Sequence, residues 1–152
     1  MISQKAKYAF QALLALADAP DGEQLVISEI AERHNIPKKF LEQILLDLKH
    51  RAIVVSRRGK TGGYALLKSP EDITFGEVLR IIDGPMAPLP CLSRMAYRRC
   101  AGCEDEETCR IKRVFAEAYD ATTTILDGRT LADAMRGARA KRPARRGADR
   151  AA

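Results

Sequence analysis

The feature that most constrains this chain lies between residues 28 and 67: two short helical patterns, then two strand-like runs around a basic, glycine-rich loop. Ser28 suits a helix cap, and Glu29 to His34 follows with Ile30 and Ala31 turned inward. Asn35 breaks that pattern. Pro37 fits the first turn of a next helix, where its missing N–H costs nothing. Phe40, Leu41, Ile44, Leu45 and Leu48 recur at helical spacing to about His50, which predicts one buried stripe. Ile53-Val54-Val55-Ser56 is β-branched and strand-like, and Tyr64-Ala65-Leu66-Leu67 returns as a strand. Between them, Arg57 to Gly63 carries three glycines and three basic side chains. Two helices joined by a tight turn and followed by a β-hairpin have the order of a winged helix-turn-helix.

The flanks support one compact domain, mainly α with a small β-wing. Ser3 can cap a helix to about Asp18, with Ala6, Ala9, Phe10, Leu13, Leu14 and Ala17 on its inner face. Lys5 and Lys7 before Ala9–Ala17 resemble a secretory leader. Gln11 interrupts that run and Asp18 sits at the supposed cut, so an amphipathic helix and a cytoplasmic chain are expected. No stretch reads as membrane-spanning. Thr74 caps a helix from Phe75 to Ile82, and Asp83-Gly84-Pro85 stops it. A proline-punctuated linker, Pro85 to Pro90, precedes the cysteines. A long helix from about Thr108 to Leu126 and a short one from near Thr130 follow.

Net charge is a poor guide here. The formal +6 is carried entirely by residues 136–152, so residues 1–135 sum to zero. The informative charge is local: residues 33–68 carry nine Lys or Arg against Glu42 and Asp47, while the segments on either side are acidic. Basic side chains concentrated in this way suit phosphate binding, because each neutralised phosphate releases counterions. The second helix of the motif would present Lys38, Lys39, Glu42 and Gln43 to a major groove about 12 Å wide. Lysines suit phosphates or guanine edges, Gln43 could pair with adenine, and Glu42 could accept from a cytosine amino group. Ser28 stands close enough in the motif to join them. Arg57, Arg58 and Lys60 at the wing tip suit a minor groove. A nucleotide-phosphate loop would need a helix after the glycines, whereas Tyr64 opens a strand.

All four cysteines lie within nineteen residues: Cys91, Cys100, Cys103 and Cys109. Soft sulfur ligands so grouped suit an iron–sulfur cluster or structural zinc, and a redox dithiol is a third reading. Arg94, Arg98 and Arg99 would favour thiolates. A thiol oxidoreductase using Cys100 and Cys103 would need a strand before the pair and a helix after it. A proline-rich linker and a basic loop precede it instead, so no enzyme and no small-molecule substrate are expected. His34 and His50 read as surface residues.

The strings Ile30-Ala31-Glu32-Arg33, Phe40-Leu41-Glu42-Gln43-Ile44-Leu45 and Arg58-Gly59-Lys60-Thr61-Gly62-Gly63-Tyr64 resemble the Rrf-two group of iron–sulfur cluster regulators. Tyr8-Ala9 and Gly76-Glu77-Val78 extend the resemblance over about residues 1–135. It implies a homodimeric transcription regulator, a repressor in many relatives, on palindromic double-stranded DNA, with Glu42 and Arg58 matching the reading Glu and wing Arg. The long helix would then cross its partner through Ile111, Val114, Phe115, Ala118 and Ile125. The implied organisation is a winged domain over 1–85 and a cysteine-containing sensor loop over 86–110. A dimerisation helix with a short terminal helix covers 108–135, and a disordered basic tail covers 136–152. Relatives with a cluster, 2Fe-2S or 4Fe-4S, use three cysteines and one other ligand. Lys112 and Tyr8 occupy the positions that supply that ligand in two relatives, and neither suits the task, so a fourth cysteine is the expected replacement.

Overall fold

The computed structural model describes residues 2–20, 23–59 and 62–140, apart from the side chains of 138–140. Helix α1, Gln4–Asp18, is the hub of the fold. Ser3 Oγ accepts from the Ala6 N–H at 3.0 Å, a cap worth about 1 kcal/mol. The Ser3 N–H also donates to Asp83 Oδ2 at 3.0 Å, tying the start of α1 to the end of α4, Phe75–Ile82. α1 packs against several helices, so its buried surface is wider than one stripe. Ala12, Ala15 and Leu16 join Ala6, Ala9, Phe10 and Leu13 inside, whereas Leu14 and Ala17 are only half-buried. Phe10 stacks on Phe75 of α4 with ring centroids 4.5 Å apart.

Helix α2, Ile27–His34, begins earlier than the sequence suggests. Ser28 falls inside its first turn, and Val26 occupies the cap position. Glu29 Oε2 reaches back to accept the Val26 N–H at 3.3 Å, and no side chain at the cap position accepts from the first turn. The cause is tertiary. Leu25 exchanges two 2.9 Å backbone hydrogen bonds with Tyr64, which fixes the chain's direction just ahead of the helix. Asn35 ends α2 in the left-handed region at φ 52°, as its short polar side chain permits. His34, expected at the surface, is half-buried, and its Nε2 has no hydrogen-bond partner among the described residues.

Helix α3, Lys38–His50, buries Leu41, Ile44, Leu45 and Leu48 completely. Phe40 does not join them; it is 57% exposed. Successive helical residues are about 100° apart, and the other four share an arc that Phe40 lies outside. The wing consists of β1, Val54–Arg57, and β2, Gly63–Leu66, antiparallel with Val54 opposite Leu66 and Arg57 opposite Gly63. A side chain at Gly63 would place its Cβ 2.6 Å from the Leu25 carbonyl oxygen, so only glycine lets the wing lie against the segment before α2.

Thr74 caps α4 as its position suggests, Oγ1 accepting from the Glu77 N–H at 3.1 Å. A 3₁₀ turn, Pro90–Leu92, interrupts the linker. Helix α5, Arg110–Asp127, and helix α6, Leu131–Ala140, complete the described chain. α6 corrects the expected boundary of the tail: residues 136–140 are helical, and 141–152 lie outside the described residues. It also sits with the winged core. Leu131 is fully buried, its N–H donates to the Ile73 carbonyl at 3.0 Å, and α6 packs on α1.

Candidate nucleic-acid interface

The first turns of α2, one side of α3 and the wing enclose a groove of about 440 Å³. It brings together Ser28, Lys38, Glu42, Arg57 and Arg58 from three separate stretches of sequence. Lys49, Ser56 and Tyr64 also line it, and sequence reasoning missed them. The Lys49 Nζ donates to Ser56 Oγ at 2.7 Å, fastening the end of α3 to the wing. Lys49 lies three turns beyond Lys38 on the same side of the helix, a repeat that could have marked it. Lys38, Lys49, Arg57 and Arg58 outweigh the single carboxylate of Glu42. A groove with that charge attracts a polyanion.

Two expected members stand apart. Gln43 Nε2 donates to Asp47 Oδ1 at 2.9 Å, and Asp47 in turn receives the Lys5 Nζ at 2.8 Å. The Lys5 ammonium holds the Asp47 carboxyl below its ordinary range, with help from Gln43. Gln43 is thus committed to a chain leading back to α1. Lys39 is exposed on α3 but does not line the groove. Lys60 lies outside the described residues.

The cysteine loop is only partly drawn together. Cys100 Sγ stands 3.8 Å from Cys91 Sγ. Metal–sulfur bonds of about 2.3 Å give a tetrahedral edge of about 3.8 Å, so this pair could share one metal ion. Cys109 instead caps α5, its Sγ accepting from the Lys112 N–H at 3.4 Å. Cys103 is engaged through its backbone, its N–H donating to the Cys100 carbonyl at 3.2 Å. Among the described residues no three potential ligands converge, so the expected set of Cys91, Cys100, Cys103 and Cys109 does not form a closed site. Of the three arginines expected beside the sulfurs, Arg99 is turned to the backbone. Arg99 donates to the carbonyls of Cys103 and Glu104, both at 2.9 Å. Burial and the neighbouring Cys100 push the Cys91 thiol up. Lys112 acts in the opposite direction on Cys91, while its Nζ is paired with Glu106 Oε2 at 2.8 Å.

Residues 2–137 match the model of the Rrf2 family, described as iron-dependent transcriptional regulators. The chain belongs to the Rrf2 family. An Rrf2-like HTH-type transcriptional regulator of Rhodobacter capsulatus is 54% identical over 89% of this chain and 92% of its own length. The HTH-type transcriptional regulator CymR of Bacillus subtilis is 31% identical over 87% of each chain. Two solved structures agree in fold. CymR, the global cysteine regulator of B. subtilis, superposes with a TM-score of 0.75 at 27% identity, covering 90% of this chain and 97% of its own. IscR of T. potens gives 0.73 at 27% identity, covering 94% and 92%. This Rrf2-family protein is accordingly a DNA-binding transcriptional regulator on a winged helix-turn-helix, and not an enzyme.

One face of α5 in this Rrf2-family chain meets no partner among the described residues. No residue of α5 is buried along its 18 residues. Ile111, Val114 and Ile125 are each more than 60% exposed, Phe115 is 44% exposed, and Ala118 lies between them on the same side. The adjacent side, about 100° round the helix, with Lys112, Ala116, Tyr119, Thr123 and Leu126, is half-buried toward the body. Among the described residues no helix is long and apolar enough to cross a membrane.

Proposed function

We propose that this regulator acts as a homodimer on a palindromic operator, where it blocks transcription, and that the state of its cysteine loop sets its affinity. The observation that carries the dimer is α5, whose apolar stripe is exposed along its whole length. A stripe of this kind on an 18-residue helix matches a second copy crossing it, because a twofold pairing buries identical side chains against each other. Two recognition helices then face adjacent major grooves about 34–36 Å apart.

In each half, α3 enters the major groove with Glu42 accepting from a cytosine amino group and Lys38 and Lys39 on phosphates. Arg57, Arg58 and Lys60 carry the wing into the flanking minor groove. Ser28, at the first turn of α2, stands where a backbone phosphate would pass. Gln43 contributes less than its type suggests, because Asp47 holds its amide.

The donor chemistry of the loop suits an iron–sulfur cluster of either common type, or zinc, with Cys91 and Cys100 as the pair already spaced for it. A cluster there would supply sensitivity to iron, oxygen or nitric oxide. The chain's own part is to join the loop to α5: Tyr97 and Lys112 share the Glu106 carboxylate, and Glu106 and Lys112 both act on the Cys91 thiol through their charge. A change at the sulfurs thereby reaches the helix that spaces the two halves. The convergence of two sulfurs, not four, favours a second reading in which Cys91 and Cys100 respond as thiols.

Operator binding tests the first claim. Purified protein is titrated against duplex from its own promoter region and against random duplex over a range of salt concentrations. A steep salt dependence with preference for a palindrome is expected, and equal affinity for both duplexes refutes the regulator reading. Anaerobic purification with visible absorption and iron, sulfide and zinc analysis decides the second. Brown protein with iron and sulfide supports a cluster, zinc in stoichiometric amount supports the structural metal, and neither leaves the thiol pair.

A further inference from the structure

Away from the DNA groove, a cavity of about 180 Å³ lies where three parts of the molecule meet. Arg80 of α4 lines it from the winged domain, Ser93 and Arg94 from the cysteine loop, and Tyr119 from α5. Met86 and Met95 supply apolar wall. Sites at such junctions are common places for small ligands, since a bound molecule can hold several elements in one arrangement.

The polar groups specify the charge of the occupant. Arg80 is already committed, both of its terminal nitrogens donating to Asp127. Arg94 makes no hydrogen bond or ion pair to any of the described residues, so its guanidinium is free to act. The Ser93 side chain is buried; its Oγ accepts from the Ala96 N–H at 2.9 Å and retains a proton to donate. Tyr119 brings a hydroxyl from the half-buried side of α5. With Asp127 offsetting Arg80, the walls carry one surplus positive charge, beside thioether surface. At about 30 Å³ per water the cavity has room for roughly six waters, the bulk of a short-chain acid.

We propose that this cavity binds a small monocarboxylate as an effector. The carboxylate is held by Arg94 with the Ser93 and Tyr119 hydroxyls, and the aliphatic chain lies on Met86 and Met95. The occupant is an effector and not a substrate, since the one carboxylate lining the cavity, Asp127, is held by Arg80 and is not free to act as a base toward the hydroxyls. It would bridge the cysteine loop and α5 next to the Arg80–Asp127 contact, and so bias the angle at which α5 leaves the winged domain. This adds a second input to the regulator, independent of the sulfurs.

Thermal unfolding of the full chain with butyrate, valerate or hexanoate tests it, against sodium chloride at matched ionic strength and against butyramide. A saturable rise in midpoint with a carboxylate, absent with butyramide, is expected. R94Q should weaken that binding at least about tenfold, and Y119F should weaken it less. Arg94 is exposed, so R94Q should fold as the wild type does. No response beyond the chloride control, an equal response to butyramide, or an unchanged response in R94Q would overturn the site. Carboxylate binding that leaves operator affinity unchanged would overturn the effector role. Because unfolding is read without DNA, failure here leaves the operator experiment standing.

Discussion

Arg80 of α4 donates from both terminal nitrogens to the two carboxylate oxygens of Asp127, at 2.8 and 2.7 Å, at the last residue of α5. The Asp127 carboxylate lies directly over Gly76, where a Cβ would fall 1.8 Å from Oδ1. One fork-shaped contact thus joins the helix that follows the wing to the proposed dimer helix, and it needs glycine beneath it.

G76A and R80A should therefore differ. Removing the guanidinium breaks a partly exposed ion pair and should cost at most about 1 kcal/mol. Adding the methyl forces the carboxylate aside and should cost about 1–3 kcal/mol. Urea unfolding of both variants checks the order, and a G76A no less stable than R80A would contradict the close approach.

The α5 stripe predicts the oligomeric state. V114D or F115D places a charge in the centre of the proposed pairing without disturbing any buried contact in the protomer. Sedimentation should show monomers that keep wild-type helicity, with operator affinity reduced by at least about a hundredfold because the two half-sites are no longer linked. A variant that still sediments as a dimer would move the interface elsewhere.

The groove predicts a contrast among neighbours on α3. E42A should relax preference at one base position in each half-site, whereas Q43A should change little because Asp47 already holds that amide. R58A should weaken binding broadly and lower the salt slope by about one. Fluorescence anisotropy on the operator and on single-base variants distinguishes these. Equal loss on specific and random DNA for E42A would count against base reading.

The start of α6 predicts an acid response. The Thr130 N–H and Oγ1 donate to Asp133 Oδ2 at 3.0 and 3.1 Å, and Arg136 donates to its Oδ1 at 2.6 Å. The Thr130 backbone N–H is the main cause, followed by Arg136, and together these contacts lower the Asp133 pKa to about 2. A depressed carboxyl stabilises the fold above its unfolded value, near 3.8, and that contribution is lost as pH falls toward 2. D133N should flatten the stability curve between those values and leave its shape near neutrality unchanged, as followed by circular dichroism.

Much of this molecule was legible along the chain because its signals are local. Ser3 and Thr74 cap their helices through a side chain and an N–H three residues on, so spacing alone determines them. The wing follows from β-branched runs around glycines, and the regulator class follows from the order of elements. What escaped was decided by neighbours far away in sequence. Ser28 lost its capping role because Tyr64 holds Leu25 ahead of α2. Phe40 stayed outside because it lies at the edge of the apolar arc, and packing buried only the part that runs from Ile44 to Leu45 through Leu41 and Leu48. α6 joined the winged core because Ile73 offered it a carbonyl. The cysteines show the same division. Their number and softness are properties of the sequence, but which sulfurs meet depends on how the loop packs: Cys91 and Cys100 lie together, while Cys109 caps α5. Local hydrogen bonding and periodicity are written residue by residue, whereas the choice among equivalent faces is made only when separate elements compete for one core.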